Sequence, residues 1–235
     1  YTPTGSTSNN ATANAPADKP QGSDPISPFA QNRQQAPSTQ REAQHAATTD
    51  GSAAMSAAQT QVVFIDPSVA NYQVLIAGLP AGTQYVVLDA KTDGLAQIAQ
   101  YLQAHRGVES ISLLSHGSDG AIQVGSTWLT NGDLSGYSTQ LAQIGAAMHA
   151  GGDFLIYGCD VAQQADGQAL VQKIAGITHL NVAASIDATG SAALGGNWTL
   201  EYQVGNVHTA LNESASAQAQ FNELLGVTTE TYDSA

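Results

Sequence analysis

Positive charge is what this chain has least of. Its 235 residues include six basic ones: Lys19, Arg33, Arg41, Lys91, Arg106 and Lys173. Against them stand 19 acidic residues, for a formal net charge of -13. No basic patch can be assembled from so few cations, so nucleic-acid binding is not expected. An anionic membrane surface is disfavoured for the same reason. Charge of either sign is scarce, at 11% of residues against about 25% in ordinary soluble domains. There is one cysteine, which excludes an internal disulfide and leaves the compartment open. No apolar run reaches the roughly 18 residues a membrane-spanning helix needs, so membrane insertion is not expected. The start, Tyr1-Thr2-Pro3-Thr4, has neither a basic nor an apolar segment and no initiator Met. It does not read as a secretory signal but as a piece of something longer.

What is present falls into three parts. Residues 1–60 are rich in Ala, Gln, Ser, Thr, Asn and Pro, with Ile26, Phe29 and Met55 as the large apolar exceptions after Tyr1. Such a segment buries too little apolar surface to offset chain entropy, and reads as a disordered low-complexity linker. Residues 61–226 carry the periodic signals of one domain, and 227–235 form a polar tail. Strands are expected at Val62–Ile65, Tyr85–Leu88, Ile111–Leu114, Phe154–Tyr157, Val182–Ser185 and, by alternation, Trp198–Val204. Asp66-Pro67 reads as an N-cap and first helical residue before Val69, Tyr72, Ile76 and Leu79. Further helices are marked by Leu95 to Leu102, Leu141 to Met148, and Leu170 to Ile177 with Asp166 as a cap. Ala121–Thr130 reads as a hairpin turning at Gly125-Ser126, and Ala217 to Leu224 as a last short helix stopped at Gly226. Strands alternating with helices predict an α/β three-layer sandwich: a mostly parallel central sheet, helices on both faces, and a small hairpin.

Two apolar runs end beside reactive side chains. Leu113-Leu114-Ser115-His116-Gly117 ends one, and Phe154-Leu155-Ile156-Tyr157-Gly158-Cys159-Asp160 ends the other. Catalytic groups of open parallel sheets gather beyond the carboxyl ends of the strands. His116 and Cys159 would meet there if the two strands are neighbours. The attacking species would be a thiolate, with the imidazole as its proton acceptor. Backbone N–H groups of Gly117 and Cys159 could hold the oxyanion of an acyl-transfer intermediate. Each residue also has a plainer reading. A lone Cys at a strand end is often a small buried apolar group, and a His after a strand is often a loop or capping residue.

The region resembles the gingipain- and caspase-like cysteine peptidases of clan CD. It carries their strand ending in His-Gly, Ile111 to Gly117, and their apolar strand before the catalytic Cys, Phe154 to Cys159. It resembles more closely an N-terminal domain of giant bacterial adhesins and haemagglutinin-like exoproteins. The matching segments are Val63–Asp66, Ser115–Gly117, Tyr157–Ala162, Ala183–Gly190 and Gly195–Glu201. The resemblance implies a caspase/gingipain-like fold, His116 as general acid/base, Cys159 as nucleophile, and Gly117 and Cys159 as oxyanion donors. It implies a substrate pocket at Ser185 and Asp187, where basic-specific members place an acidic residue. A turn Asp bonding its own backbone is the plainer reading of Asp187. If the pocket is acidic, Lys19, Arg33 and Arg41 are the expected cleavage sites, and the Leu224-Leu225-Gly226 boundary is the alternative.

Other candidates are weaker. Asp119 and Asp160 flank the dyad and offer oxygen ligands for Ca²⁺, but such residues are more often caps. Asp66 reads best as structural, and Trp128 and Trp198 as packing residues. His105, His149, His179 and His208 lack metal-ligand spacing. The leading expectation is a monomeric cysteine endopeptidase domain, autoproteolytic, acting on a polypeptide substrate that is its own flanking segments. It would belong to a larger exported protein, secreted or at the bacterial surface, and release or process that adhesin. The alternatives are a catalytically silent binding or sorting module of the same fold, and a different Cys-dependent transferase.

Overall fold

Residues 60–211 and 213–226 are described by the computed structural model of the chain. All belong to a unit spanning Ser52–Ala235. The expected linker 1–60, but for Thr60, and the tail 227–235 lie outside the described residues. In chain order the elements begin with β1 (Gln61–Ile65), α1 (Tyr72–Gly78), β2 (Gln84–Val87), α2 (Gly94–Ala104) and β3 (Val108–Leu114). A small hairpin region follows: β4 (Gly117–Ser118), β5 (Ala121–Val124) and β6 (Thr127–Thr130). Then come α3 (Ser138–Ala147), β7 (Met148–Tyr157), α4 (Ala165–Thr178), β8 (Asn181–Ala184), β9 (Tyr202–Val204) and α5 (Ala215–Gln220).

Among the described residues, six strands form the central sheet in the order β2-β1-β3-β7-β8-β9. All its pairings are parallel except β8 with the edge strand β9. The three strands β4, β5 and β6 form a separate antiparallel sheet. The chain is thus a mixed α/β three-layer sandwich with helices on both faces of a mostly parallel sheet. Parallel central strands are buried on both sides, so they are continuous apolar runs rather than alternating ones. Val62, Phe64, Ile111, Leu113, Phe154, Ile156, Val182 and Ala184 point to one face, with residues of α2, α3 and α4. Val63, Ile65, Leu114, Leu155, Tyr157 and Ala183 point to the other, with Leu75 of α1, Phe221 and Leu225.

Five expectations fail in detail. Asp66 does not cap a helix at Pro67. Helix α1 starts at Tyr72, after Asn71 at a φ of 55°. Asp66 instead accepts hydrogen bonds from the backbone N–H and hydroxyl of Ser68 (3.0 and 2.6 Å) and from Gly125 N–H (2.7 Å). A short carboxylate bonding its own turn outcompetes the cap, and here it also ties the end of β1 to the β5–β6 turn. Asp166 lies inside the first turn of α4 rather than at its cap. It is Asp119 that accepts from Gln164 N–H at 2.8 Å. The C-terminal helix stops at Gln220, and residues 221–226 run on outside any helix. Trp198 lies outside β9 and packs near Tyr157 and Phe221, with ring centroids 6.2 and 5.6 Å away. Trp128, in contrast, is 39% exposed.

Candidate active site

The register of β3 against β7 decides what meets at the rim. Leu114 lies opposite Tyr157, and Ser115 N–H donates to the Tyr157 carbonyl at 3.0 Å. The chain then leaves both strands at the same edge, with His116-Gly117 beside Gly158-Cys159. The approach is close. A Cβ on Gly117 would lie 2.8 Å from the Cys159 carbonyl oxygen and 2.6 Å from a Val161 methyl. Glycine is required there because the two backbones touch.

Cys159 packs with the apolar cluster on the α1 and α5 face and is 3% exposed. Its Sγ accepts from Thr189 N–H at 3.2 Å and donates to the Thr189 carbonyl at 3.4 Å. Burial pushes the thiol up to about 11, with Asp160 and Asp187 adding to the rise and N–H donors of Thr189 and Leu225 opposing it. The resting group is therefore a thiol rather than a thiolate at neutral pH. Asp160, the next residue, adopts a φ of 59°, which turns the chain sharply as it leaves β7.

His116 is half-buried. Its Nε2 lies 3.1 Å from the Ser68 carbonyl oxygen. A carbonyl can only accept, so in the neutral ring Nε2 carries the hydrogen and Nδ1 keeps its lone pair. Nδ1 is buried and has no hydrogen-bond partner among the described residues. No hydrogen bond joins His116 to Cys159 here. The Nδ1 lone pair is thus left unengaged in the residue that follows β3 and Ser115.

The backbone N–H groups of Gly117 and Cys159 converge on a single oxygen. Both donate to the Leu225 carbonyl, each at 2.9 Å. Leu225 N–H in turn donates to the Thr189 carbonyl at 2.8 Å, and Ser191 N–H donates to the Glu223 carbonyl at 2.9 Å. Gly190 and Leu224 form an antiparallel bridge, and Gly117 and Gly226 a parallel one. Residues 223–226 therefore lie as an extended strap across the rim, over the sulfur. A Cβ on Gly226 would sit 3.3 Å from Sγ.

Over residues 62–225 the chain matches the family described as Domain of unknown function (DUF4347). It belongs to that family. No curated protein matches the chain. A solved structure described as a small-chain dehydrogenase is similar at 10% identity, over 50% of this chain and 71% of that one, with a TM-score of 0.28. A likeness that low carries no argument about chemistry.

The other predicted site residues of this DUF4347 domain serve the loops around the rim. Asp187 is exposed, and its carboxylate accepts from Asn197 Nδ2 at 3.0 and 2.9 Å. Ser185 is buried, and its hydroxyl donates to the Asp187 carbonyl at 2.8 Å. Asp187 also accepts from Asp160 N–H at 2.9 Å through its own carbonyl. The pair thus clamps the loop after β8 against the turn that carries Cys159. Asp160 accepts from Gln163 Nε2 at 2.7 Å, and its carboxyl is raised by burial and by its neighbours Asp187 and Asp119. Among the described residues no group of three or more His, Cys, Asp or Glu is placed to hold a metal ion, and no helix is long and apolar enough to cross a membrane.

Sequence reasoning passes over Ser68 and Thr189. Ser68 orients the imidazole through its carbonyl, and Thr189 holds both the thiol and the strap. Backbone groups do this work, so no residue type could have advertised it. Leu225 is different, because the Leu-Leu-Gly boundary is visible in the sequence as the end of the apolar region.

Proposed function

We propose that this DUF4347 domain is a cysteine endopeptidase, with Cys159 as nucleophile, His116 as general acid/base, and the N–H groups of Gly117 and Cys159 as the oxyanion hole. The observation that carries the reading is the convergence of those two donors on one carbonyl oxygen beside the sulfur. Preorganised N–H donors aimed at one acyl oxygen are the largest single contribution to acyl-transfer catalysis in many enzymes. The clan CD resemblance of the His-Gly and Cys segments supports the same roles.

The chemistry follows from the tautomer. His116 Nδ1 takes the thiol proton as sulfur attacks the acyl carbon. The oxygen gains charge between the two N–H groups. The C–N bond breaks as imidazolium returns the proton to the departing amine, leaving a thioester. Water then attacks the thioester, giving a carboxylic acid and restoring the thiol. The high proton affinity of the buried thiol means no stored ion pair is needed; proton transfer accompanies attack. The substrate is a polypeptide in extended form, a reading supported by the backbone groups of Thr189 and Ser191, which pair with an extended segment of the chain. The setting, a larger exported bacterial surface protein, rests on the adhesin resemblance.

A silent binding or sorting module is the second reading, favoured by the deep burial of Cys159. The two separate on thiol chemistry. Because residues 223–226 cover the sulfur, a peptidyl electrophile is expected to label Cys159 of a Leu225→Asn chain, and His116→Ala added to that chain to abolish the labelling while the fold, read by circular dichroism, persists. Equal labelling of both proteins, or no labelling and no turnover of added peptides, overturns the peptidase.

A further inference from the structure

We propose, resting on the peptidase reading, that the bond this domain cuts is its own Leu225–Gly226 peptide bond, and that the site selects an aliphatic residue immediately before the cut. The strap of residues 223–226 is held as a substrate would be. Its Leu225 carbonyl is the one that both oxyanion donors grip at 2.9 Å. Its next residue, Gly226, is the one a Cβ would press to within 3.3 Å of Sγ. A glycine after the bond leaves the sulfur a clear path, and any larger residue would crowd it.

The main chain on the acyl side is bound by strand addition. Leu225 N–H to Thr189, Ser191 N–H to Glu223, and the Gly190–Leu224 bridge form a short antiparallel ladder. Peptide-recognition sites use such ladders for affinity and side-chain pockets for choice. Asn71 Nδ2 adds a hydrogen bond to Glu223 Oε1 at 3.0 Å. The selecting pocket is apolar. Leu225 is fully buried in the cluster that holds Tyr157, Cys159 and Phe221. A Lys or Arg in its place would bury a charge in that cluster, and Asp187 cannot neutralise it cheaply because Asn197 already engages the carboxylate.

The reaction balances with water alone. Sγ bonds to the Leu225 acyl carbon, and the Leu225–Gly226 C–N bond breaks. The proton that left the thiol goes to the Gly226 amine. Hydrolysis of the thioester then yields a carboxylate on Leu225 and returns the thiol. The new terminus stays on the same ladder and in the same oxyanion hole, so the product blocks its own site. The cut separates everything after residue 225 from the domain and is made once per molecule.

The test uses the full chain, incubated from pH 5 to pH 10 with and without Ca²⁺, and read by intact mass and N-terminal sequencing. Loss of residues 226–235, with a released peptide that begins at Gly226, supports the inference, provided Cys159→Ala and His116→Ala stay whole. Leu225→Met is expected to keep cleavage, and Leu225→Asn to slow it by about 100-fold. Cysteine-dependent cleavage at another bond, such as after Lys19, Arg33 or Arg41, overturns this inference and leaves the peptidase standing. A chain that stays whole under every condition also overturns it. Added peptides ending in Glu-Leu-Leu before a fluorophore, offered to the Leu225→Asn protein, then decide the parent reading: turnover keeps the peptidase, and none removes it.

Discussion

On one face of the sheet, α2, α3 and α4 lay Leu95, Ile98, Leu141, Ile144, Leu170 and Ile174 over the strands in a continuous apolar layer. On the other, shorter helices α1 and α5 share the cover with an irregular return segment and the strap. That second face keeps polar groups in its interior. Asp153, 2% exposed, accepts from the N–H groups of His208 and Thr209 and from the Thr209 hydroxyl, each at 2.8 Å. The Tyr157 hydroxyl accepts from Leu211 N–H at 3.0 Å and is pushed up to about 12 by burial. Glu213 is buried with no partner for either oxygen among the described residues, and burial raises it to about 8. One face is closed by side-chain packing and the other by chain that is held through hydrogen bonds. A cover of the second kind adds backbone hydrogen bonds, which can open locally, to the packing of Phe221 and Leu225.

The sharpest way to break this contrast is to damage the sealed face. Phe64, fully buried and edge-on to Tyr101, is expected to cost about 3–5 kcal/mol when replaced by Ala. Urea unfolding measures it, and Cys159 should become accessible only through global unfolding. On the strap face, Leu225→Asn should do the reverse. If the strap is what keeps the thiol from its ordinary value of 9.0 and holds it near 11, thiolate at pH 8 should rise by about 100-fold on release. Iodoacetamide labelling reads that change, once the share that passes through global opening is subtracted using urea unfolding of the same variant. An unchanged labelling rate would mean the core, not the strap, buries the sulfur.

Glu213 supplies a smaller, pH-dependent effect. Its proton is held more tightly in the folded chain than in the unfolded one. The stability it brings is whole below about 4.5 and is lost as pH rises toward about 8. Glu213→Gln should flatten that decline and gain about 1–2 kcal/mol at pH 9, seen in thermal melts across pH. A parallel decline in both proteins would clear Glu213 of the effect. The smallest change is expected at Trp128, which is 39% exposed; Trp128→Ala should stay within about 0.5 kcal/mol and leave Cys159 labelling untouched.

Much of the architecture was legible in advance. Unbroken runs such as Val62–Ile65 and Phe154–Tyr157 announce buried parallel strands, and Leu95, Ile98 and Leu102 announce the helix between them. What misled were residues with two local uses. Asp66-Pro67 looks like a helix start, yet the carboxylate is spent on Ser68 and Gly125, the latter 59 positions away. Ala217 to Leu224 looks helical because apolar spacing continues past Gln220, but Leu224 and Leu225 are drawn out to pair with Gly190 and Thr189. Of the site, His116, Gly117 and Cys159 could be named because their residue types and strand-end positions imply chemistry. Asp187 and Ser185 could be named too, but the carboxylate meets an amide rather than a cation.

The residue types and their spacing by themselves determined the α/β layering and the ends of the two strands where a thiol and an imidazole emerge. Those are local matters of periodicity and chain reversal. Only the tertiary structure decided that β3 and β7 lie side by side, that Ser68 directs the imidazole, and that Leu225 fills the space between two N–H groups. Each depends on backbone atoms far apart in the chain, and backbone atoms are the same in every residue.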